Sequence, residues 1–332
     1  SELNVKLGEA FAEAAVAVSR ASNIQLERVD IIGCHGQTIY HDGSAARGTV
    51  RSTLQVGEPA VIAERTGCTV ASGFRGRDLA AHGEGAPLVP YVDWLLFLHP
   101  VRGRVLLNLG GIGNLTVLPA GAPLEHVTGF DTGPANMILD ALISIATQGR
   151  EQYDLNGMRT ARGHVRDSLL AELLLHPYYS RTPPKSAGRE EFGEQLAQNI
   201  WGRCRALGVG IDDALATAAA LTVETVAGAL ERWVLPSTPI QELYVSGGGA
   251  RNPALMTLLS KQLPGITVLP LAALGIDGKA KEAVAFAIFA VEAIRGRPAN
   301  VPTVTGARHP VVLGSITPGR RLHLDIEPVA RR

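Results

Sequence analysis

The chain has 332 residues, 46% of them apolar and 19% charged, with 31 basic residues against 31 acidic ones. This length exceeds the roughly 250–300 residues that one core supports, so two domains are expected. Balanced charge without a basic run or stripe disfavours nucleic acid and anionic membrane as main partners. The cysteines Cys34, Cys68 and Cys204 are odd in number and lack CxxC spacing, against a disulfide scaffold or a zinc site and in keeping with a reducing, cytoplasmic compartment.

Residues 2–20 read as an amphipathic helix, because Leu3, Leu7, Phe11, Ala15 and Val18 recur at spacings of three and four. A short strand follows at Asp30–Gly33, ending in CHGQT. Two further strands are expected at Thr53–Gln55 and Thr69–Ala71, around a helix with Pro59 early and Gly67 at its exit. Phe74–Pro90 is polar and glycine-rich and reads as a functional loop. Val105–Leu118 predicts a glycine hairpin, and Pro134–Thr147 a helix with proline in its first turn. Helices are expected over Val165–His176, Phe192–Leu207 and Ile211–Trp233, with PPKSAGRE at 183–190 as a loop. A strand at Glu242–Ser246, a helix to Gln262, a strand at Gly265–Leu269 and a helix at Lys279–Ile294 follow. The last forty residues predict loops and one or two strands. Strands alternating with helices define an α/β fold. The apolar stretches Ala214–Leu230 and Ala283–Ala290 are interrupted by polar residues or too short for the roughly 20 residues of a membrane span. The N-terminus carries no signal-peptide pattern.

Two motifs suggest phosphate beside a carboxylate. GGIGN at 110–114 allows close backbone approach, so Gly110, Gly111 and Asn114 are candidates for anion binding or for an ordinary tight hairpin. GFDTGP at 129–134 sets Asp131 at an expected strand end before a helix capped by Thr132 or Gly133; Asp131 is a general base or simply a cap. GGGARNP at 247–253 adds Gly247, Gly248, Gly249 and Asn252 as candidates for holding a nucleoside or phosphate, and a plain turn needs fewer glycines. His35 and Gln37 in CHGQT, Arg75 and Asp78 in FRGRD, and Glu84 and Pro87 in GEGAPLVP suggest a polar wall for a polyol or carboxylate. The alternatives are solvated arginines and a structural histidine. Glu282 opens an apolar helix, as a site residue or as compensation of the helix dipole.

With GCHGQTIYH, LQVGEPAVIAERTG, FRGRDLAAHGEGAPLVP, LNLGGIGNLTVL, GFDTGPANMILDA, PPKSAGREEF, YVSGGGARNP and VTGARHPVVLGSITP in order, the chain resembles the anhydro-N-acetylmuramic acid kinases nearly end to end. The resemblance implies a hexokinase/actin-like fold of two ribonuclease-H-like domains with the active site in the cleft between them. It implies ATP and Mg²⁺ as cofactors, an amino-sugar substrate and a homodimer. It implies water opening the internal bond of 1,6-anhydro-N-acetylmuramic acid and ATP phosphorylating the freed O6, a step in recycling cell-wall peptidoglycan. Asp131 matches the family's base and Glu282 an acidic position near the cleft. His35, Gln37, Arg75, Asp78, Glu84 and Pro87 would face the sugar. Gly110, Gly111, Asn114, Gly133, Gly247, Gly248, Gly249 and Asn252 would face ATP, and no Mg²⁺ ligands are assigned.

Residues 1–100 with 295–332 are expected to form the first domain and 101–294 the second. Family members open with a G-T-S-x-D-G phosphate loop, whereas this sequence begins at the helix over 2–20. The expectation is a truncated N-terminus or a lost phosphate element, with weakened ATP binding and an exposed sheet edge. A sugar-binding or regulatory protein without phosphoryl transfer, and a related hexosamine kinase, are the alternative readings.

Overall fold

The computed structural model describes residues 1–43 and 50–320. Residues 321–332, which belong to the expectation for the last forty residues, lie outside it. The strands in chain order are β1 (Ile31–Cys34), β2 (Gln37–Asp42), β3 (Ser52–Val56), β4 (Thr69–Ser72), β5 (Arg104–Leu109), β6 (Ile112–Leu118), β7 (Thr128–Pro134), β8 (Glu242–Ser246), β9 (Thr267–Pro270) and β10 (Ser315–Thr317). They fall in two compact units, Ser1–Val92 with Lys281–Arg332, and Asp93–Ala280.

In the first unit β4 lies between parallel β1 and antiparallel β10, and β2 and β3 form a separate antiparallel hairpin. Of CHGQT, set after a strand by the sequence reading, Cys34 ends β1 and Gln37 and Thr38 open β2. The β2 register slips between Thr38 and Tyr40, a bulge that breaks the alternation by which a strand is recognised. The helix Pro59–Thr66 is bounded as expected: the Glu58 side chain accepts from Ala60 N–H at 3.2 Å, and Gly67 ends it at φ +74°. The helix Glu2–Ala21 packs on it at Gly8, where a Cβ would lie 2.9 Å from Glu58 O. Phe74–Pro90 contains the helix Gly76–Ala80, and Pro90 starts another to Phe97. The helix Lys281–Ile294 belongs to this unit, whereas the sequence reading assigned it to the second domain. The cause is close packing on β1: a Cβ on Gly33 would collide with Phe286 O, an approach that leaves no local pattern.

In the second unit the five-stranded sheet has the order β7-β6-β5-β8-β9. β5, β6 and β7 form an antiparallel meander, and β8 and β9 add parallel to β5. A three-strand meander extended by two crossover strands is the ribonuclease-H-like arrangement the resemblance implies. One sheet face, with Val105, Leu107, Leu109, Leu115, Phe130, Leu243 and Val245, builds the core with the helices Asn136–Ala146, Glu194–Ala206, Ile211–Trp233 and Pro253–Gln262. The helix Ile211–Trp233 is long and apolar enough to cross a membrane, yet 83% of its most apolar window is buried within the protein. That is the pattern of a helix hydrophobic all round because it fills a core.

Candidate active site

Strand alternation creates the site on the second unit's sheet. The core row Phe130–Leu115–Leu107–Val245 is followed one residue later by Asp131–Asn114–Asn108–Ser246, four polar residues in register across four strands. A period of two turns this row to the face opposite the core. Ser246 Oγ lies 3.4 Å from Leu107 O and 3.5 Å from Asn108 Oδ1. Asn108 and Ser246 were not among the sequence candidates. The signal was present in VLLNL, where Asn108 falls out of phase with Val105, Leu107 and Leu109.

Asp131 lies within β7, not at the junction with a helix. Pro134 pairs with Ile112 as the last strand residue, and Thr222 Oγ donates to Pro134 O at 3.0 Å. The following helix begins at Asn136, and neither Thr132 nor Gly133 caps it. Its first N–H groups are satisfied by the glycine hairpin: Asn136 donates to Gly110 O at 2.9 Å, and Ala135 and Met137 donate to Gly111 O at 3.0 and 3.1 Å. Because a trans peptide sets N–H opposite C=O, the N–H groups of Gly111 and Ile112 point away from that helix. The hairpin thus caps the helix through its carbonyl edge, a role the sequence reading did not assign, and turns the opposite N–H edge of the same peptides away from it.

Gly133 sits at φ +146° beside a register shift at Gly113/Asn114, and a Cβ there would lie 2.9 Å from the Tyr179 ring. Asp131 is half-buried and tied on three sides: its N–H donates to Lys185 O at 3.0 Å, its C=O accepts from Tyr178 Oη at 2.8 Å, and Oδ2 accepts from Ala187 N–H at 2.9 Å. The partners come from the PPKSAGRE loop and the turn before it. Sequence reading marked this loop without a role, because nothing local shows that it reaches β7.

In GGGARNP, Gly247 takes φ +79°, and a Cβ would lie 2.6 Å from Leu109 O and 2.7 Å from Asn108 Oδ1. Only glycine lets this turn close on β5. Gly248 is exposed and Gly249 is packed on Leu109. Asn252 caps the helix Pro253–Gln262, its Oδ1 accepting from Ala254 and Leu255 N–H at 3.0 and 3.2 Å.

In the first unit Arg75 organises the remaining candidates. Its Nε donates to His35 Nε2 at 3.0 Å and its Nη1 to Gly85 O at 2.8 Å. His35 Nδ1 lies 2.8 Å from Gly36 O, so the neutral Nδ1–H tautomer satisfies both contacts. Burial, and next the Arg75 charge, hold the His35 pKa below its usual value. Burial likewise lowers that of Arg75, against the opposing charge of Glu282, which is exposed at the start of its helix. Asp78 is fully buried. Its Oδ2 accepts from Gly85 N–H at 2.8 Å, and its Oδ1 from Asn300 Nδ2 at 2.7 Å and Thr305 Oγ at 2.8 Å. Its carboxylate is thus taken up inside the unit, where it anchors the GEG turn. Glu84 is half-buried, and burial pushes its carboxyl pKa up. Gln37 is exposed with Nε2 3.2 Å from Thr38 O, and Pro87 is exposed. His41, not a sequence candidate, lies by Gly85 and Thr53, with Nδ1 3.1 Å from Thr53 Oγ.

Among the described residues no group of three or more His, Cys, Asp or Glu is arranged to hold a metal.

The sheet order defines an α/β protein of the ribonuclease-H-like class, with a polar row beside two glycine turns. The anhydro-N-acetylmuramic acid kinase family model matches residues 1–319. An anhydro-N-acetylmuramic acid kinase of Caldanaerobacter subterraneus is 44% identical over 318 residues, covering 95% of this chain and 80% of that relative. One of Bacillus cereus is 42% identical over 317 residues, covering 95% and 82%. The activator of 2-hydroxyisocaproyl-CoA dehydratase from Clostridium difficile, solved with ADPNP, is 14% identical, covers 67% of this chain and 71% of its own, and has a TM-score of 0.39. The chain belongs to the anhydro-N-acetylmuramic acid kinase family, and is therefore an ATP-using phosphotransferase.

Proposed function

We propose that the protein converts 1,6-anhydro-N-acetylmuramic acid, water and ATP into N-acetylmuramate 6-phosphate and ADP, within cell-wall recycling. Family membership over residues 1–319 carries this reading, as do the names of the relatives. Asp131 is its base. It takes a proton from water, whose oxygen bonds to the anomeric carbon as the bond from that carbon to O6 breaks. O6 bonds to the γ-phosphorus as the bond to the ADP oxygen breaks. Because phosphorus captures the leaving oxygen, no general acid is needed, unlike ordinary inverting glycoside hydrolysis. A carboxylate bonded to a backbone N–H, as Asp131 is to Ala187, is favoured in its ionised form.

Phosphoryl transfer rests on positioning and charge stabilisation. Outward N–H groups of Gly111 and Ile112, with the turn at Gly247–Gly249, are the donors assigned to the phosphates; Gly110, Asn114 and Gly133 shape that surface, and Asn252 holds the helix after it. Mg²⁺ supplies countercharge to the phosphates when bound. His35, Gln37, Arg75, Glu84 and Pro87 are assigned to the sugar, Asp78 to holding their loop, and Glu282 to electrostatic support of Arg75. The protein is read as a cytoplasmic homodimer, which sedimentation equilibrium tests.

ADP release coupled to NADH oxidation, with the anhydro sugar as acceptor, tests the activity. In ¹⁸O-water the label enters the anomeric hydroxyl and not O6. Asp131→Asn lowers turnover by about 10²–10⁴-fold, the usual contribution of a general base, while calorimetry still detects sugar binding. Near-normal turnover in Asp131→Asn, or label at O6, refutes the mechanism.

A further inference from the structure

We infer that the segment Tyr178–Ala187 is the positioning element of Asp131: Tyr178 Oη and the Lys185 carbonyl hold its main chain, Ala187 N–H holds its carboxylate in the reacting orientation, and the Lys185 ammonium favours the ionised form. The inference rests on the reading of Asp131 as base. Its warrant is the convergence of three bonds on one residue. Asp131 N–H meets Lys185 O, Asp131 C=O meets Tyr178 Oη, and Asp131 Oδ2 meets Ala187 N–H, at 3.0, 2.8 and 2.9 Å. β7 is an edge strand of its sheet. The loop adds to that edge for about one residue, so main chain and side chain of Asp131 are fixed together.

Tyr178 is 0% exposed and meets Phe192 edge-on at 5.2 Å. Phenylalanine would serve that packing equally; the hydroxyl serves Asp131. Burial, and then the Asp131 charge, raise the phenol pKa, so it remains a donor at every working pH. Lys185 Nζ lies over the Tyr178 ring at 4.7 Å and reaches Tyr178 O at 3.3 Å and Tyr179 O at 3.5 Å. Two weak carbonyl contacts leave its charge without a carboxylate partner at ion-pair distance among the interactions described. The Lys185 pKa is lowered first by burial and then by Arg232 and Arg181, and is supported by Asp131. That support is mutual, since a cation favoured by a carboxylate favours the carboxylate's ionised form equally. The other charged groups here are Arg181, paired with Glu191 at 2.8 Å and 5.1 Å above the Tyr178 ring, and Arg232, 3.5 Å from Tyr179 O. Arg181 is neutralised by its partner, which leaves Lys185 as the cation stacked against the residue that holds Asp131.

The test compares Tyr178→Phe, Lys185→Met and Lys185→Arg in the ADP-release assay between pH 5 and 9. Tyr178→Phe should lower kcat about ten-fold, the worth of one hydrogen bond to the main chain that carries the base, with both KM values within two-fold. Lys185→Met should move the acid limb of the kcat profile to higher pH, and Lys185→Arg should restore it. A lower kcat with a displaced acid limb supports the inference. Wild-type kinetics in both Tyr178→Phe and Lys185→Met, a rise confined to KM, or a lower kcat on an unmoved limb in Lys185→Met overturns it. Should Tyr178→Phe fail to fold, the acid limb of Lys185→Met decides alone. If Asp131→Asn turns over normally, the base assignment itself fails. If it is inactive while the clamp variants match wild type, only this inference fails.

Discussion

Asp78 offers a prediction whose size follows from the structure. The residue is 0% exposed, and its two oxygens accept three hydrogen bonds of 2.7–2.8 Å, from Gly85 N–H, Asn300 Nδ2 and Thr305 Oγ. They join the helix Gly76–Ala80 to the GEG turn and to residues 300–305, and Asn300 Oδ1 extends the link by accepting from Val311 N–H at 2.7 Å. Gly83 lies against the carboxylate so closely that a Cβ would overlap it. Asp78→Ala strands three buried donors, each costing about 1–3 kcal/mol if unsatisfied. Two have fallback acceptors at 3.5 Å, Thr305 on Val301 O and Asn300 on His309 O. Removing a buried carboxylate also recovers part of its desolvation. The low end for each donor gives a net loss of about 3 kcal/mol. Asp78→Asn keeps one acceptor oxygen but sets an amide against Gly85 N–H or Asn300, for about 2 kcal/mol. All three tryptophans, Trp94, Trp201 and Trp233, lie in the second unit, so their fluorescence does not report this site. Hydrogen exchange read by mass spectrometry on the peptide over residues 83–88, alongside urea unfolding by circular dichroism, does. The Gly85 amide should lose protection in both variants, more in Asp78→Ala. A loss under about 1 kcal/mol with wild-type protection would refute the claim that this carboxylate anchors the turn.

Two further predictions concern other parts of the molecule. Gly33→Ala drives a methyl group into Phe286 O and should destabilise the first unit by roughly 3 kcal/mol, the upper range for overpacking; an unchanged melting temperature would contradict the close approach of Lys281–Ile294 to β1. Asp140 has its pKa raised to about 6 by burial. Its folded pKa thus exceeds the unfolded value, so its contribution is most favourable below pH 4 and is lost as pH rises through 6. Asp140→Asn should therefore leave stability nearly unchanged at pH 4 and raise it by about 1 kcal/mol at pH 8, after allowance for partial solvent exposure. An equal effect at both pH values would refute burial as the cause.

What could be read from the sequence was local, and what could not was contact. The helix Pro59–Thr66 announced itself through proline at its start and glycine at its end, and both are used as expected. The helix after β7 was placed two residues early on the same kind of cue. Pro134 fits the first turn of a helix, but its φ also suits a strand end, and pairing with Ile112 decided between them. The motif alone marks Asp131 as a candidate. Its surroundings were not legible there, because they come from residues 178–187, almost fifty positions away, and from Asn114, Asn108 and Ser246, aligned only by strand register. Asp78 shows the same limit: an aspartate just after two arginines in FRGRD looks like a solvent-facing ligand, while Asn300 and Thr305, over two hundred residues on, draw it into the interior.

GGIGN sharpens this point. Glycine-rich sequence predicts that backbone will approach something closely, without saying which edge of the peptide does so. At Gly110 and Gly111 the carbonyl edge is taken by Ala135, Asn136 and Met137, which fixes the start of the helix that follows Asp131's own strand. The opposite edge, at the N–H groups of Gly111 and Ile112, is thereby aimed without any side chain being involved. A Cβ at Gly111 would lie 3.0 Å from Met137 Cε, and one at Gly247 would strike Leu109 O and Asn108 Oδ1. Substituting Gly247 should therefore displace β5 at Asn108, the middle of the polar row that ends in Asp131. Substituting Gly111 would press only on the flexible end of Met137. The two glycine motifs thus differ in kind: one sets the spacing of the strands that carry the site, and the other aims the donors above them.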